Sequence, residues 1–222
     1  MERSLKHKSA GRRPRHHDSA ATRGAILRAA ERIFAEEGLE GARTDAIAAA
    51  AGVNKALLYY YFRSKEALYR AVLEGYSADF NRQALEVLSS EESASSVLLR
   101  YINLHFDFIA AHRPHGPLFQ RMLMEDEKTY VRLAREHGLP RLKALLRVVE
   151  RGMRSGEFRR MDGIHAVISL VSLIVFFFSS ATVLRAVSGI DPYAKANVER
   201  RREEVLKFIR QALFKNPESG EQ

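Results

Sequence analysis

The chain holds no cysteine and no tryptophan, and only six prolines are spread over its 222 residues. Without cysteine there are no disulfides and no thiolate metal sites, which suits the cytosol. Catalytic signatures are missing as well: there is no Gly-rich phosphate-cradling loop, no nucleophile elbow and no His-Glu-x-x-His zinc spacing. His112 and His115 are three apart, but Pro114, Gly116 and Pro117 break the backbone around them, so they read as loop residues. No metal, no cofactor and no catalytic residue is expected. The N-terminus has no apolar run behind its charges and so lacks the pattern of a secretory signal. Neither a β-hairpin signal nor a fixed-period repeat occurs.

What is present in excess is positive charge. Lys and Arg number 36 against 27 Asp and Glu, a net charge of +9, and the hydrophobic fraction of 46% is ordinary for a globular chain with a sizeable core. That balance favours a polyanion, either nucleic acid or an acidic membrane surface, or marks a protein that is merely basic. Arg3, Lys6, Lys8, Arg12, Arg13 and Arg15 lie among His7, His16 and His17 with only Glu2 opposing them, and Gly11 and Pro14 interrupt the stretch. Residues 1–17 are predicted to form a basic arm, either a functional contact or a solvated leader.

Apolar periodicity near 3.6 predicts helices throughout. Asp18 or Ser19 is expected to cap a first helix whose stripe is Ile26, Ala30, Ile33 and Phe34, ending at Gly38. After a second and third helix, Ser64 caps a fourth running to about Leu88 through Leu68, Val72, Tyr76 and Phe80. A helix at about Ala94 to Ala111 precedes the proline break. Shorter helices are expected at about Pro117 to Asp126 and Glu127 to Glu136, then a break or kink at Gly138-Leu139-Pro140 before a helix to about Ser155.

Residues Thr44 to Leu68 are the densest in specific signals. Thr44 reads as an N-cap with Asp45 in the first turn, and Ile47, Ala48 and Ala51 give a narrow apolar face. Gly52-Val53-Asn54 makes the turn, with Asn54 capping the next helix. In that helix Leu58 and Phe62 are an i, i+4 pair facing the core, which sends Lys55, Leu57 and Tyr60 outward with Tyr59 and Tyr61 at the flanks. The pattern is a helix-turn-helix.

On Ile47-Ala48, Ala51-Gly52-Val53, Leu58-Tyr59, Tyr61-Phe62 and Ser64-Lys65-Glu66, all in one register, the chain resembles the tetracycline-repressor (TetR) family of bacterial transcription regulators. Ile26 to Gly38 fits the same pattern. The resemblance is close over about residues 20–70 and only architectural beyond. It implies an all-α fold: a basic arm (1–17), a three-helix DNA-binding domain (18–66), a helical effector-binding and dimerisation domain (67–216) and a frayed tail (217–222).

By position, the resemblance places Thr44, Asn54, Lys55, Leu57, Tyr59, Tyr60, Tyr61 and Lys65 at DNA. Tyr60 and Lys55 fall nearest base edges. Tyr59, Tyr61 and Lys65 fit phosphate contacts, and Thr44 falls where a hydroxyl meets a phosphate. Each has a plainer alternative: Thr44 and Asn54 as caps, Tyr59 as half core, Lys65 as a solvated charge. Leu57 departs from the small hydroxyl residue common there; it can touch a thymine methyl but cannot donate to guanine.

Gly163 to Leu184 is 22 residues without a charge, long enough to span a bilayer. Its serines, the missing tryptophan and its solitary occurrence favour a helix buried between two subunits over a membrane span. With a following helix from about Tyr193 to Phe214, whose Arg200-Arg201-Arg202 is expected on the wet side, it predicts a homodimer through residues 163–187 and 193–214. The resemblance further implies a cytoplasmic, nucleoid-associated bacterial protein that binds a palindromic DNA operator and is released by a small effector. Candidate effector residues are His105, Phe106, Phe119, Met122, Met124, Tyr130 and Phe177, each alternatively a core residue. An enzyme and a membrane-associated helical protein are the rival functions.

Overall fold

The computed structural model describes residues 16–112, 124 and 126–217, with side chains from Ser19 onward. Most of the basic arm, Phe119, Met122, the body of the short helix expected from Pro117 and most of the tail lie outside the described residues.

The fold is helical. Helix α1 spans His16–Gly41, α2 Thr44–Ala50, α3 Lys55–Phe62, α4 Lys65–Leu88 and α5 Ala94–Ala111. The second half holds α6 (Glu127–Leu133), a π-helical turn (Ala134–Gly138), α7 (Leu139–Ser155), α8 (Gly163–Ser179), α9 (Ala181–Ser188) and α10 (Lys195–Leu213). The predicted stripes are the buried ones: Ile26, Ala30, Ile33 and Phe34 of α1 pack on Leu68, Tyr69 and Val72 of α4, with the Phe34 ring edge-on to Tyr69 at 5.0 Å. Helix α4, about 36 Å long at 1.5 Å per residue, runs from the helix-turn-helix into the second half. It packs against α1, α5, α7 and the π-helical turn.

Several expectations are corrected. Helix α1 begins at His16, so Asp18 and Ser19 sit inside its first turn instead of capping it. The chain breaks at Gly38 (φ 74°, ψ −177°), a conformation only glycine adopts readily, and resumes one helical turn before α2. Pro140 does not break the helix. Its missing N–H and its ring are accommodated by the wider turn over Ala134–Gly138, so α6 and α7 run on through the π segment. The apolar stretch from Gly163 bends by 65° at Ser180, and among the described residues no single helix is long and apolar enough to cross a membrane.

Arg201 and Arg202 also turn inward. Arg201 donates to the Leu173 carbonyl at 2.9 Å and lies over Phe177; Arg202 pairs with Asp107 and lies over Phe106. Only Arg200 of the three is fully exposed.

The turn after α7 closes the second half. Glu157 accepts from the backbone N–H groups of Ala94 (3.2 Å) and Ser95 (2.8 Å) and from the Ser155 hydroxyl, so it caps α5 from more than sixty residues away. Burial alone pushes its carboxyl up, but these donors outweigh burial and hold it below the usual carboxylate range. Phe158, beside it, stacks on Phe214 at 5.0 Å.

Candidate nucleic-acid interface

The interface is built on α2 and α3. Ile47 and Ala48 of α2 and Leu58 and Phe62 of α3 are buried against α1 and α4, each large apolar side chain contributing about 1.5–3 kcal/mol. Arg23 of α1 lies 5.1 Å over the Phe62 ring and closes that corner. Gly52, at φ 69°, makes the turn, and Val53 plugs it against the core. Asn54 caps α3, its side chain accepting from Leu57 N–H at 2.8 Å. Ser64 caps α4 by accepting from Ala67 N–H at 3.1 Å. The Glu66 backbone N–H and the Ser64 hydroxyl hold the Glu66 carboxyl below its usual range at that helix start.

With Leu58 and Phe62 fixed inward, Tyr60 stands on the opposite face, 78% exposed. Its ring is edge-on to Tyr61 at 5.4 Å, and the Tyr61 hydroxyl donates to Ser19 of α1 at 3.2 Å. Tyr59 is half out of the core, and its hydroxyl shares a hydrogen bond with Thr44 at 3.3 Å. Thr44 is therefore not the cap: Arg43 occupies that position without a side-chain bond, and Thr44 is the first helical residue, buried by Tyr59. Leu57 is half-buried and so projects less than its register predicts.

Two cations are engaged within the chain. Lys55 pairs with Asp45 across the turn at 2.9 Å, with both side chains about half exposed. Lys65 donates to the carbonyls of Glu40 (3.2 Å) and Ala42 (3.3 Å), tying α4 to the end of α1. Two basic residues missed in the sequence, Arg43 and Arg63, line a shallow groove with Thr44, Tyr59 and Lys65, alongside Glu40, Asp45 and Glu66. Their signal was positional, since one immediately precedes α2 and the other immediately follows α3.

Among the described residues, the predicted effector candidates lie in different surroundings. His105 is buried against Phe80 and Tyr101, and Phe106 meets Phe178 edge-on at 5.9 Å. Phe177 is half-buried beneath Arg201, and Tyr130 is half-buried on α6. Met124 is 82% exposed.

A short helix, a glycine turn and a second helix with one anchored face and one exposed aromatic face define a helix-turn-helix regulator. Residues 26–72 match the family model for bacterial regulatory proteins of the tetR family, and residues 96–209 match that for the tetracyclin repressor-like C-terminal domain. The chain is 33% identical to the HTH-type transcriptional repressor NicS of Pseudomonas putida, over 77% of this chain and 82% of that one. It is 28% identical to the HTH-type transcriptional regulator RutR of Escherichia coli K12, over 82% and 84%. Among solved structures, the TetR family transcriptional regulator PfmR of Thermus thermophilus superposes with a TM-score of 0.66 at 20% identity, covering 81% of this chain and 94% of that one. The chain belongs to the TetR family of transcriptional regulators.

Proposed function

We propose that the chain is a repressor that binds a palindromic operator as a homodimer and is released by a small, apolar or aromatic effector. The observation that carries this reading is the orientation of α3, which anchors Leu58 and Phe62 and leaves Tyr60 as the outermost side chain. Tyr60 and Lys55 read base edges, while Tyr59, Tyr61 and Lys65 set register on phosphates. Exposed ion pairs are worth about 0–1 kcal/mol, so Lys55 gives up Asp45 for DNA at little cost. An ammonium has three donors, and two carbonyls leave one of Lys65's for a phosphate. Thr44 and Asn54 act first as supports, Thr44 by positioning Tyr59 and Asn54 by starting α3. Leu57 contributes apolar contact only.

Dimerisation is supported by an unpartnered apolar surface. Ile164, Ile168, Val175 and Phe176 of α8 are exposed, followed by Val183 and Val187 of α9 and Phe208 of α10. Such a face favours a second copy, and two helices from each copy make a four-helix bundle. The DNA-binding unit is then residues 18–66 and the regulatory unit 67–216, with α4 crossing between them. Repression follows the name of the Pseudomonas relative. Selection of bound sequences from random DNA tests the reading: a palindrome is expected, with half-sites about 34–36 Å apart. A single asymmetric site, or no enrichment at all, would refute it.

A further inference from the structure

A cavity of about 220 Å³ lies between α5, α7 and α8. Leu142 and Leu145 of α7 and Val167, Ile168 and Val171 of α8 give it apolar walls, and Gly138 of the π-helical turn also lines it. Two polar groups share it. Tyr101 of α5 is fully buried, and its hydroxyl makes no well-formed hydrogen bond. Arg141, at the start of α7, lies beside it. Glu74 of α4 and Glu136 of the π-helical turn are both paired with Arg132, and Arg141 makes no ion pair among the described residues. Its guanidinium rests instead 4.7 Å over the Phe80 ring of α4. Burial drives the Tyr101 pKa upward, so its hydroxyl stays a neutral donor.

We propose that this cavity binds a small monocarboxylic acid with a compact apolar body, its carboxylate held by Arg141 and the Tyr101 hydroxyl. The chemistry of the lining selects the class. Every polar group among Tyr101, Arg141 and Ser172 donates hydrogen bonds, and no acidic side chain lines the space, so a cationic ligand would have no counter-charge. A planar guanidinium matches a carboxylate in bidentate geometry. The space opens to solvent at Ile168 and Ser172, and its one guanidinium balances one negative charge, which matches a monoanion. The volume lies below the roughly 300–1,000 Å³ of sites for drug-sized ligands, which limits the body to about one ring or a short chain.

The inference rests on the ligand-responsive reading and gives it a route. Arg141 touches α4 through Phe80, and α4 meets the helix-turn-helix at its other end, so a carboxylate that draws Arg141 off the ring changes a contact of the helix that joins the two units.

The test uses the full chain and two pairs of probes, benzoate with benzamide and hexanoate with hexanamide, titrated by calorimetry and by thermal shift. At least one carboxylate should bind and raise Tm, with its amide bound about tenfold or more weakly. Arg141→Gln should remove that preference, Arg141→Lys should keep part of it, and Tyr101→Phe should weaken the carboxylate alone, with unliganded melting confirming that each variant folds. Equal binding of amide and acid, an unchanged preference in Arg141→Gln, or no binding of either acid would overturn the proposal. Retention of the selected DNA is measured in parallel. Carboxylate binding through Arg141 without DNA release would leave this site standing and count against ligand response. DNA released by neutral compounds while no acid binds would overturn this site and leave ligand response standing.

Discussion

Gly152→Ala is the substitution whose cost follows most directly from geometry. A Cβ at position 152 would lie 2.2, 2.4 and 2.8 Å from Cδ2, Cε2 and Cγ of Phe158, well inside contact distance. The ring cannot swing away easily. It is fully buried and stacked on Phe214 at 5.0 Å, and its own backbone N–H donates to the Gly152 carbonyl at 2.9 Å. Arg159 N–H to Leu213 O (2.8 Å) and Lys215 N–H to Glu157 O (2.9 Å) pin the same turn to the end of α10. Overpacking of a core typically costs about 1–3 kcal/mol, and three clashing ring atoms in a pinned turn put this case near the upper end. At about 2–4 °C per kcal/mol for a chain of this size, Tm should fall by about 6–12 °C in a thermal melt. Phe158→Leu removes the ring, so adding Gly152→Ala to it should cost much less than Gly152→Ala alone, a coupling that a double-mutant cycle measures. An unchanged Tm for Gly152→Ala, or strictly additive effects in the cycle, would refute the reasoning.

Other perturbations follow from the same structure. The Glu157 carboxyl is depressed below its ordinary value of 4.5, so its stabilisation is present above that pH and lost as pH falls through the folded value. Glu157→Gln should therefore lower stability at neutral pH and flatten the acid limb of a denaturation series; an acid limb as steep as wild type would contradict this. Phe176, 68% exposed on α8, should lie in the dimer contact, so Phe176→Glu should raise the dimer dissociation constant about 100-fold or more by sedimentation, with helical content unchanged. Deleting residues 1–17 should weaken DNA binding and reduce the salt slope by about 0.9 for each phosphate the arm neutralises, and an identical slope would exclude the arm from the complex.

Where the sequence was legible, local periodicity decided the outcome. Leu58 and Phe62 alone orient α3, and the stripes of α1 and α4 follow from spacing. Arg201 and Arg202 were misjudged because charge was weighed above register. They follow Val198 by three and four and precede Val205 by four and three, which puts them on the buried face, where their stems pack and their heads reach a carbonyl and a carboxylate. The bend at Ser180 was hidden because Ser179, Ser180 and Thr182 read only as polar dilution of an apolar run, and no proline or glycine marks the break. At Pro140 the break is not realised, since a π-helical turn absorbs the proline. Glu157 capping α5 and Lys65 clamping the end of α1 join residues more than sixty and more than twenty positions apart, and no local pattern encodes either. Around Thr44, one residue of register separates a cap from a buried hydroxyl that positions Tyr59.

The central claim is that α3 reads DNA with Tyr60 foremost. Its most direct test compares wild type and Tyr60→Ala on the selected operator and on unrelated DNA of the same length and salt. The side chain is exposed, so the substitution should leave stability intact while reducing the preference for the operator toward that for unrelated DNA. Unchanged affinity and unchanged selectivity in Tyr60→Ala would contradict it.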